Sequence, residues 1–191
     1  MTNDSRQNMI KTAAFLFGER GYAATSFQDV IARSGAPRGS IYHHFPGGKE
    51  QLAAEALRWY AGRFGTRMAG NTAEGGPTDA VAGYFAATAT WLTKSDFRGG
   101  CPIGGVALDL GGNDDPLREV VAEAFADWRR VLEHAMRAEG CPEATARALA
   151  ALVIAASEGA LMLARAERDA GLYEDVADQV MQHLRSVLAT A

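Results

Sequence analysis

The sequence predicts an all-α protein, and three observations lead to this prediction. Alanine is abundant, whereas only 6 of the 191 residues are proline, and alanine has the highest helix propensity of all residues. Apolar residues recur at spacings of three and four and do not alternate with polar residues for long. Apolar residues make up 48% of the chain, so a globular fold with a sizeable core is expected.

The N-terminal segment predicts one helix and then two shorter ones. The first runs over residues 6–20, with a core-facing stripe that ends at Phe17. Thr25 is predicted to cap the second helix, because Gln28 stands at capping-box spacing. Gly35 suits the left-handed conformation at its end, and Pro37 suits the first turn of a third helix that reaches about residue 45. Two helices joined across such a turn predict a helix-turn-helix.

The third predicted helix has a polar outer face. Ile41 and Phe45 are one turn apart and are expected to point inward. A helix in the major groove of DNA needs side chains for base edges, donors for phosphates and small residues for close approach. We expect Arg38 to contact a base edge, and Gly39 and Ser40 to permit close approach. The side chains expected to contact phosphate are Thr25, Tyr42, His43 and Lys49.

Other roles are open for some of these residues. Local packing or capping is the alternative for His43 and for the neighbouring His44. A solvated surface position is the alternative for Lys49. This lysine is predicted in the first turn of a helix, where a cation gains nothing from the helix dipole.

Three segments carry a resemblance to a known family. They are AAFLFGERGY (13–22), TSFQDVIA (25–32) and GAPRGSIYHHFPGGKEQL (35–52). Together, residues 10–52 resemble the DNA-binding domain of TetR/AcrR-type bacterial repressors. The sequence FPGGKE and the later sequence CPIGGVAL (101–108) are similar to those of the LmrA/YxaF-like branch. One departure from the usual family pattern is a third residue between Phe45 and Lys49, which changes the expected reach of the lysine.

Charge is distributed unequally along the chain. Residues 1–67 carry a net charge of +4 and residues 68–191 a net charge of −8. A basic first third on an acidic remainder fits a protein that binds DNA at one end only. We predict a helix-turn-helix DNA-binding domain at residues 1–50 and a larger helical effector-binding and dimerisation domain at residues 51–191.

The second domain is predicted to be helical throughout. AGNTAEGG (69–76) is rich in small residues and predicts a loop. The stretch GGCPIGG lacks the lysine of a phosphate-binding loop, so nucleotide binding is rejected. The predicted helices span residues 49–68, 77–93, 103–110, 116–139, 142–168 and 173–189.

The resemblance implies a homodimer that binds a small, largely apolar effector. In this family the last two helices pair with those of a second subunit, and the residues expected to do so are Leu152, Ala156, Gly159, Leu163, Val180 and Leu184. Helical sensors hold ligands between aromatic-rich helices. The residues expected to contact the effector are Phe64, Trp91, Phe125 and Trp128. The alternative for each of these residues is packing within the chain's own core.

Other site types are not expected. Neither a catalytic motif nor a metal-binding Cys/His spacing is apparent, so we expect no enzyme activity, cofactor or metal. Cys101 and Cys141 are expected to be reduced, with a redox-sensing pair as the alternative. The polar N-terminus and the lack of about 18 consecutive apolar residues predict no signal peptide, no membrane span and a cytoplasmic location.

These inferences predict a ligand-responsive transcriptional repressor. The effector-free dimer would bind a near-palindromic operator, since paired recognition helices about 34 Å apart enter successive major grooves. The effector would favour a dimer in which the spacing of the two DNA-binding domains does not match the operator. The alternative within the same fold is a DNA-binding factor that responds to no ligand.

Overall fold

The computed structural model describes residues 2–37, 39–112 and 115–190, and the regular elements found there are all α-helices. This confirms the predicted fold class. The helices are α1 (Thr2–Arg20), α2 (Phe27–Ser34), α3 (Ser40–His44), α4 (Gly48–Lys94), α5 (Pro102–Asp109), α6 (Pro116–Ala138), α7 (Glu143–Glu167) and α8 (Ala170–Leu188).

The chain forms two compact units. The first consists of Met1–Gly62 and Gly100–Phe125, and the second of Arg63–Gly99 and Ala126–Ala191. The first unit therefore contains the N-terminal helices together with α5, which lies some way further along the sequence. The helices α4 and α6 each contribute to both units. The functional division at residue 50 stays a prediction.

The core of the first unit forms where α1 packs against α2, α3 and α5. Phe17 and Met9 of α1, Ile41 of α3 and Phe45 directly after it are almost completely buried. The backbones of α1 and α5 approach so closely that side chains would not fit between them. A Cβ on Gly105 would lie 2.5 Å from the carbonyl oxygen of Phe17, and one on Gly18 would overlap the carbonyl of Gly100.

The helix-turn-helix is shorter and differently capped than predicted. Ser26, not Thr25, is the N-cap of α2, and Asp29 completes the capping box. Gly35 ends α2 in the left-handed conformation, as predicted, with φ 70° and ψ 13°. Helix α3 has only 5 residues and begins at Ser40, so Pro37 precedes the helix and does not open it.

The predicted loop at residues 69–76 is wrong, because α4 continues through it. Helical backbone extends to Gly75, and only Gly76 departs from it, with φ 78° and ψ 179°. That conformation is accessible essentially to glycine alone. Pro77 then opens the second part of the helix, where its missing N–H costs nothing.

The second unit is built around α7 and α8, which pack along each other. The residues buried on these helices include Leu149, Val153 and Ala160 of α7 and Val180 and Leu184 of α8. The turn between α7 and α8 contacts the segment that directly follows α4. Arg168 donates to Asp96 at 2.6 Å, and its guanidinium carbon lies 5.4 Å from the centre of the Phe97 ring.

Helix α7 has the composition of a possible membrane span. Within the described part of the chain it is the one helix long and apolar enough to cross a bilayer. The core helix of a soluble protein satisfies the same criterion, so this is weak support for a membrane span. Eight of its residues are buried within this chain, and its remaining apolar surface is described below.

Candidate nucleic-acid interface and effector cluster

The outer face of α3 exposes polar aromatic side chains. Tyr42 is 67% exposed, and its ring meets that of Phe27 edge-on at 5.4 Å. His43 is also exposed, whereas Ile41 and Phe45 on the opposite side are fully buried. The spacing of apolar residues therefore predicted the orientation of α3 correctly. The exposed hydroxyl and imidazole are groups that bind phosphate or base edges.

The start of α3 is open to solvent. Gly39 precedes the first helical residue, and among the described residues other than its chain neighbours none has an atom within 4 Å of the position that its Cβ would take. A neighbouring molecule could therefore approach the backbone here. The predicted base-contacting residue Arg38 lies outside the described residues, as does the side chain of Ser40. Their roles stay predictions from sequence.

The capping box fixes the beginning of α2. The hydroxyl and the backbone N–H of Ser26 donate to Asp29 at 2.6 and 2.8 Å, and Arg20 lies 3.0 Å from the same carboxylate. The two hydrogen bonds from Ser26, followed by the hydrogen bond and then the charge of Arg20, lower the pKa of Asp29 to about 2. This aspartate therefore stays ionised and holds α2, which supports α3 through the Phe27–Tyr42 contact.

Two of the predicted phosphate contacts face the protein itself. Thr25 is only 1% exposed, and its hydroxyl donates to the carbonyl oxygen of Gly21 at 2.8 Å. The ammonium of Lys49 lies 4.1 Å from the centre of the Tyr22 ring. Burial lowers the pKa of Lys49, and Asp109 and Asp29 act against this shift. Thr25 therefore braces the first unit, and the half-buried Lys49 packs on Tyr22. Their contacts with phosphate stay predictions.

An acidic side chain of α5 contacts the turn between α1 and α2. Asp109 accepts a hydrogen bond from the backbone N–H of Ala23 at 2.9 Å. Residue 109 is thus tied to the turn between α1 and α2. Sequence reasoning missed this contact, because 86 residues separate its two ends and nothing local marks Asp109 as a capping group.

Three aromatic side chains form a cluster in the second unit. The rings of Phe64 and Trp128 lie 4.3 Å apart at 31°, and Phe64 meets Tyr84 edge-on at 5.0 Å. Two of the four predicted effector contacts are therefore brought together. Trp128 is nevertheless only 2% exposed, so a ligand at this cluster would have to separate or replace packed rings.

The other two predicted effector contacts have different surroundings. Trp91 packs over the backbone of Gly99, where a Cβ would collide with the indole ring. Residues of the same chain therefore cover part of the Trp91 side chain. Phe125 is half-buried and belongs to the first unit.

A chain of hydroxyl groups extends from the aromatic cluster. The Tyr84 hydroxyl lies 2.9 Å from Oγ of Ser157, which lies 2.9 Å from the Tyr173 hydroxyl. Ser157 and Tyr173 are both buried. Sequence reasoning missed this arrangement, although a serine in step with the apolar residues of α7 is a detectable signal. Buried hydroxyls of this kind require partners.

Helix α7 carries a second apolar face that its own chain leaves open. Leu152 is 43% and Leu163 is 50% exposed, and Gly159 between them is exposed as well. Ala156 is half-buried beside them. Val180 and Leu184 of α8, by contrast, are buried within the single chain. Their apolar surface is already covered, so we remove them from the proposed dimer face.

Two family descriptions match the chain. Residues 9–56 match the family described as bacterial regulatory proteins of the tetR family, and residues 77–179 match the C-terminal domain of LmrA/YxaF-like transcriptional regulators. The chain belongs to the TetR family. The resemblance noted in the sequence is thereby confirmed, including the LmrA/YxaF-like branch. The chain is therefore a DNA-binding transcriptional regulator of the TetR family.

Similar proteins agree with the TetR assignment. An HTH-type transcriptional regulator of Mycobacterium tuberculosis is 41% identical over 171 residues, covering 86% of this chain and 86% of that protein. The HTH-type transcriptional regulator LmrA of Bacillus subtilis is 34% identical over 161 residues, covering 84% and 86%. The crystal structure of a TetR transcriptional regulator from Chloroflexus aurantiacus matches with a TM-score of 0.78 at 30% identity and covers 96% of each chain.

Proposed function

We propose that this TetR-family regulator is a cytoplasmic repressor that binds a near-palindromic operator as a homodimer and is released by a small, largely apolar effector. The observation that carries the proposal is the exposed polar and aromatic face of α3, with Tyr42 and His43 outside and Ile41 and Phe45 buried. Repression is favoured because mycobacterial relatives are named as transcriptional repressors. Double-stranded DNA is the partner of this face.

The proposed division of labour on DNA uses four residues. Arg38 reads a base edge, Gly39 permits close approach, and Tyr42 and His43 contact phosphate. Dimer formation on the open face of α7, at Leu152, Gly159 and Leu163, presents two such helices to one operator. A dimer contact at this open apolar face would also account for the high hydropathy of α7, with no need for a membrane span.

The proposal is tested by operator binding. Purified protein is titrated into labelled DNA from the region flanking its own gene, at two salt concentrations and with competitor DNA. We expect binding that survives competitor, and a loss of about 1–3 kcal/mol for Arg38→Ala with relaxed preference at one base pair. Binding that competitor abolishes at both salt concentrations, with no effect of Arg38→Ala, would contradict specific operator recognition there.

The effector is assigned to the cluster of Phe64, Tyr84 and Trp128. An uncharged aromatic compound that replaces ring contacts there would couple to operator affinity by about 1–3 kcal/mol. The packed state of Trp128 favours one alternative, a DNA-binding factor of the same fold that takes no ligand. Thermal unfolding with a panel of small aromatic compounds separates the two. Stabilisation that Trp128→Leu abolishes supports the effector site, and a flat response across the panel favours the alternative.

A further inference from the structure

A groove in the second unit lies outside both sites described so far. It has a volume of about 760 Å³ and runs between the second part of α4 and α8. This volume is within the range of small-molecule sites, roughly 300–1,000 Å³. Its open mouth distinguishes it from the packed cluster of Phe64 and Trp128, neither of which lines it.

The floor of the groove is apolar. Phe85, Tyr173 and Met181 line it and are all buried. The rings of Phe85 and Tyr173 lie 5.5 Å apart at 47° and close the bottom. The α4 wall carries small residues such as Ala86 and Ala89, which leave the space between the helices unfilled. An elongated apolar group could therefore lie along the floor.

The α8 wall of the groove carries negative charge. Glu174 and Asp178 are one helical turn apart, line the groove and are exposed. Neither carboxylate makes an ion pair with a residue in the described ranges. Arg185 also lines the groove but comes eleven residues after Glu174, about 16 Å along the helix at 1.5 Å per residue. Asp178 is seven residues from Arg185, about 10 Å along the helix, so both carboxylates lie beyond the three- or four-residue spacing at which side chains on one helix contact each other.

We propose that this groove binds an organic cation with an apolar body. The cationic group lies between Glu174 and Asp178, and the body covers Phe85, Tyr173 and Met181. Two carboxylates that form no ion pair within the described ranges, above an aromatic floor, are complementary to an ammonium group attached to a hydrocarbon chain. This ligand class is different from the uncharged effector assigned to the aromatic cluster, so the inference goes beyond the proposed repressor function and does not depend on operator binding.

Calorimetric titration of the full chain without DNA tests the proposal. The probes are octylammonium, octanol and octanoate, which share one chain and differ only in the head group. We expect octylammonium to bind more tightly than octanol, and octanoate to bind most weakly. Raised salt should reduce the advantage of octylammonium, because the carboxylates are exposed and salt screens such pairs.

Three variants locate the site. The double variant Glu174→Gln/Asp178→Asn should weaken octylammonium by about three- to tenfold, as expected for exposed ion pairs, and leave octanol unchanged. Ala86→Trp places an indole in the groove from an exposed position and should abolish binding of both probes. Asp175→Asn is the matched control, because Asp175 is exposed on the same turn of α8 but does not line the groove.

Three results would overturn the proposal. Equal affinity for the three head groups would show that the carboxylates do not select the ligand. Binding of octylammonium that persists in Ala86→Trp would place the amine elsewhere on the protein. Conversion of a dimer to a monomer by Ala86→Trp would mean that a second copy of the chain occupies the groove. None of these measurements uses DNA, so a failure of operator binding is detected separately.

Discussion

Helices α3 and α7 each bury one face and leave another open, but the chemistry of the open faces differs. On α3 the open face offers the Tyr42 hydroxyl and the His43 imidazole. On α7 it offers the aliphatic side chains of Leu152, Met162 and Leu163. Hydrogen-bonding groups suit a polyanion, whereas exposed aliphatic groups at helical spacing are stabilised by another apolar surface. The comparison thus separates the proposed DNA contact from the proposed contact with a second subunit.

The largest expected effect tests the proposed dimer face on α7. Leu163→Glu places a charge in the proposed dimer face of both subunits, where its desolvation costs several kcal/mol. We expect the dimer dissociation constant, measured by analytical ultracentrifugation, to rise by about a hundredfold or more. Leu108→Glu is the matched control, because Leu108 is 73% exposed on α5. Equal effects of the two variants would contradict a dimer face on α7.

The next effect tests the α3 side. Tyr42→Phe keeps the ring against Phe27 and removes only the hydroxyl. Because a hydrogen bond to a charged group contributes about 1.5–3 kcal/mol, operator affinity in a fluorescence anisotropy titration should fall by about that amount at every sequence. The melting temperature and the dimer dissociation constant should stay the same. An unchanged operator affinity would remove Tyr42 from the interface.

A third prediction concerns the support beneath α3. Gly105→Ala would push a methyl group against the carbonyl oxygen of Phe17, and overpacking of this kind costs about 1–3 kcal/mol of unfolding free energy. Gly65→Ala is the control, because α4 leaves its Cβ position free of neighbours within 4 Å. That substitution should stabilise the protein by about 0.5–1 kcal/mol. Urea unfolding of both variants measures the difference.

The smallest expected effect is a pH dependence at the start of α2. The folded-state pKa of Asp29 is about 2, below its ordinary value of 3.8. Its contribution to stability is therefore complete above about pH 4 and is lost as the pH falls through about 2. The melting temperature of Asp29→Asn should be lower than that of the unsubstituted protein at pH 7, and the two should converge towards pH 2. A difference that is constant over this range would contradict the capping role.

Local sequence signals predicted much of the fold. Pro116 and Gly140 placed α6 to within one residue at each end, because proline opens a helix and glycine closes one. Two boundary errors have specific physical causes. The adjacent Thr25 and Ser26 are equally good caps in isolation, and a buried hydrogen bond to Gly21 decides between them. The segment 69–76 looks like a loop, yet helix on its N-terminal side extends through it to Gly75.

The candidate sites were less predictable than the helices. Periodicity identified the apolar faces of α7 and α8 but not their partners. Val180 and Leu184, which we predicted at the dimer face, are buried within the single chain. The position of Lys49 beside Tyr22 depends on a contact across 27 positions of sequence. Contacts of this kind have no local signature, and they decide whether a charged side chain faces a ligand or braces the fold.

The packing of α5 against α1 limits how this regulator can be recombined with others. The predicted DNA-binding domain, cut out at residue 50, would lose the backbone surface that Gly105 presents to Phe17 and the carboxylate that Asp109 presents to Ala23. A chimera with new operator specificity should therefore carry residues 100–109 from the same parent as its first 62 residues. The first 62 residues can be transferred to another protein only together with this ten-residue segment.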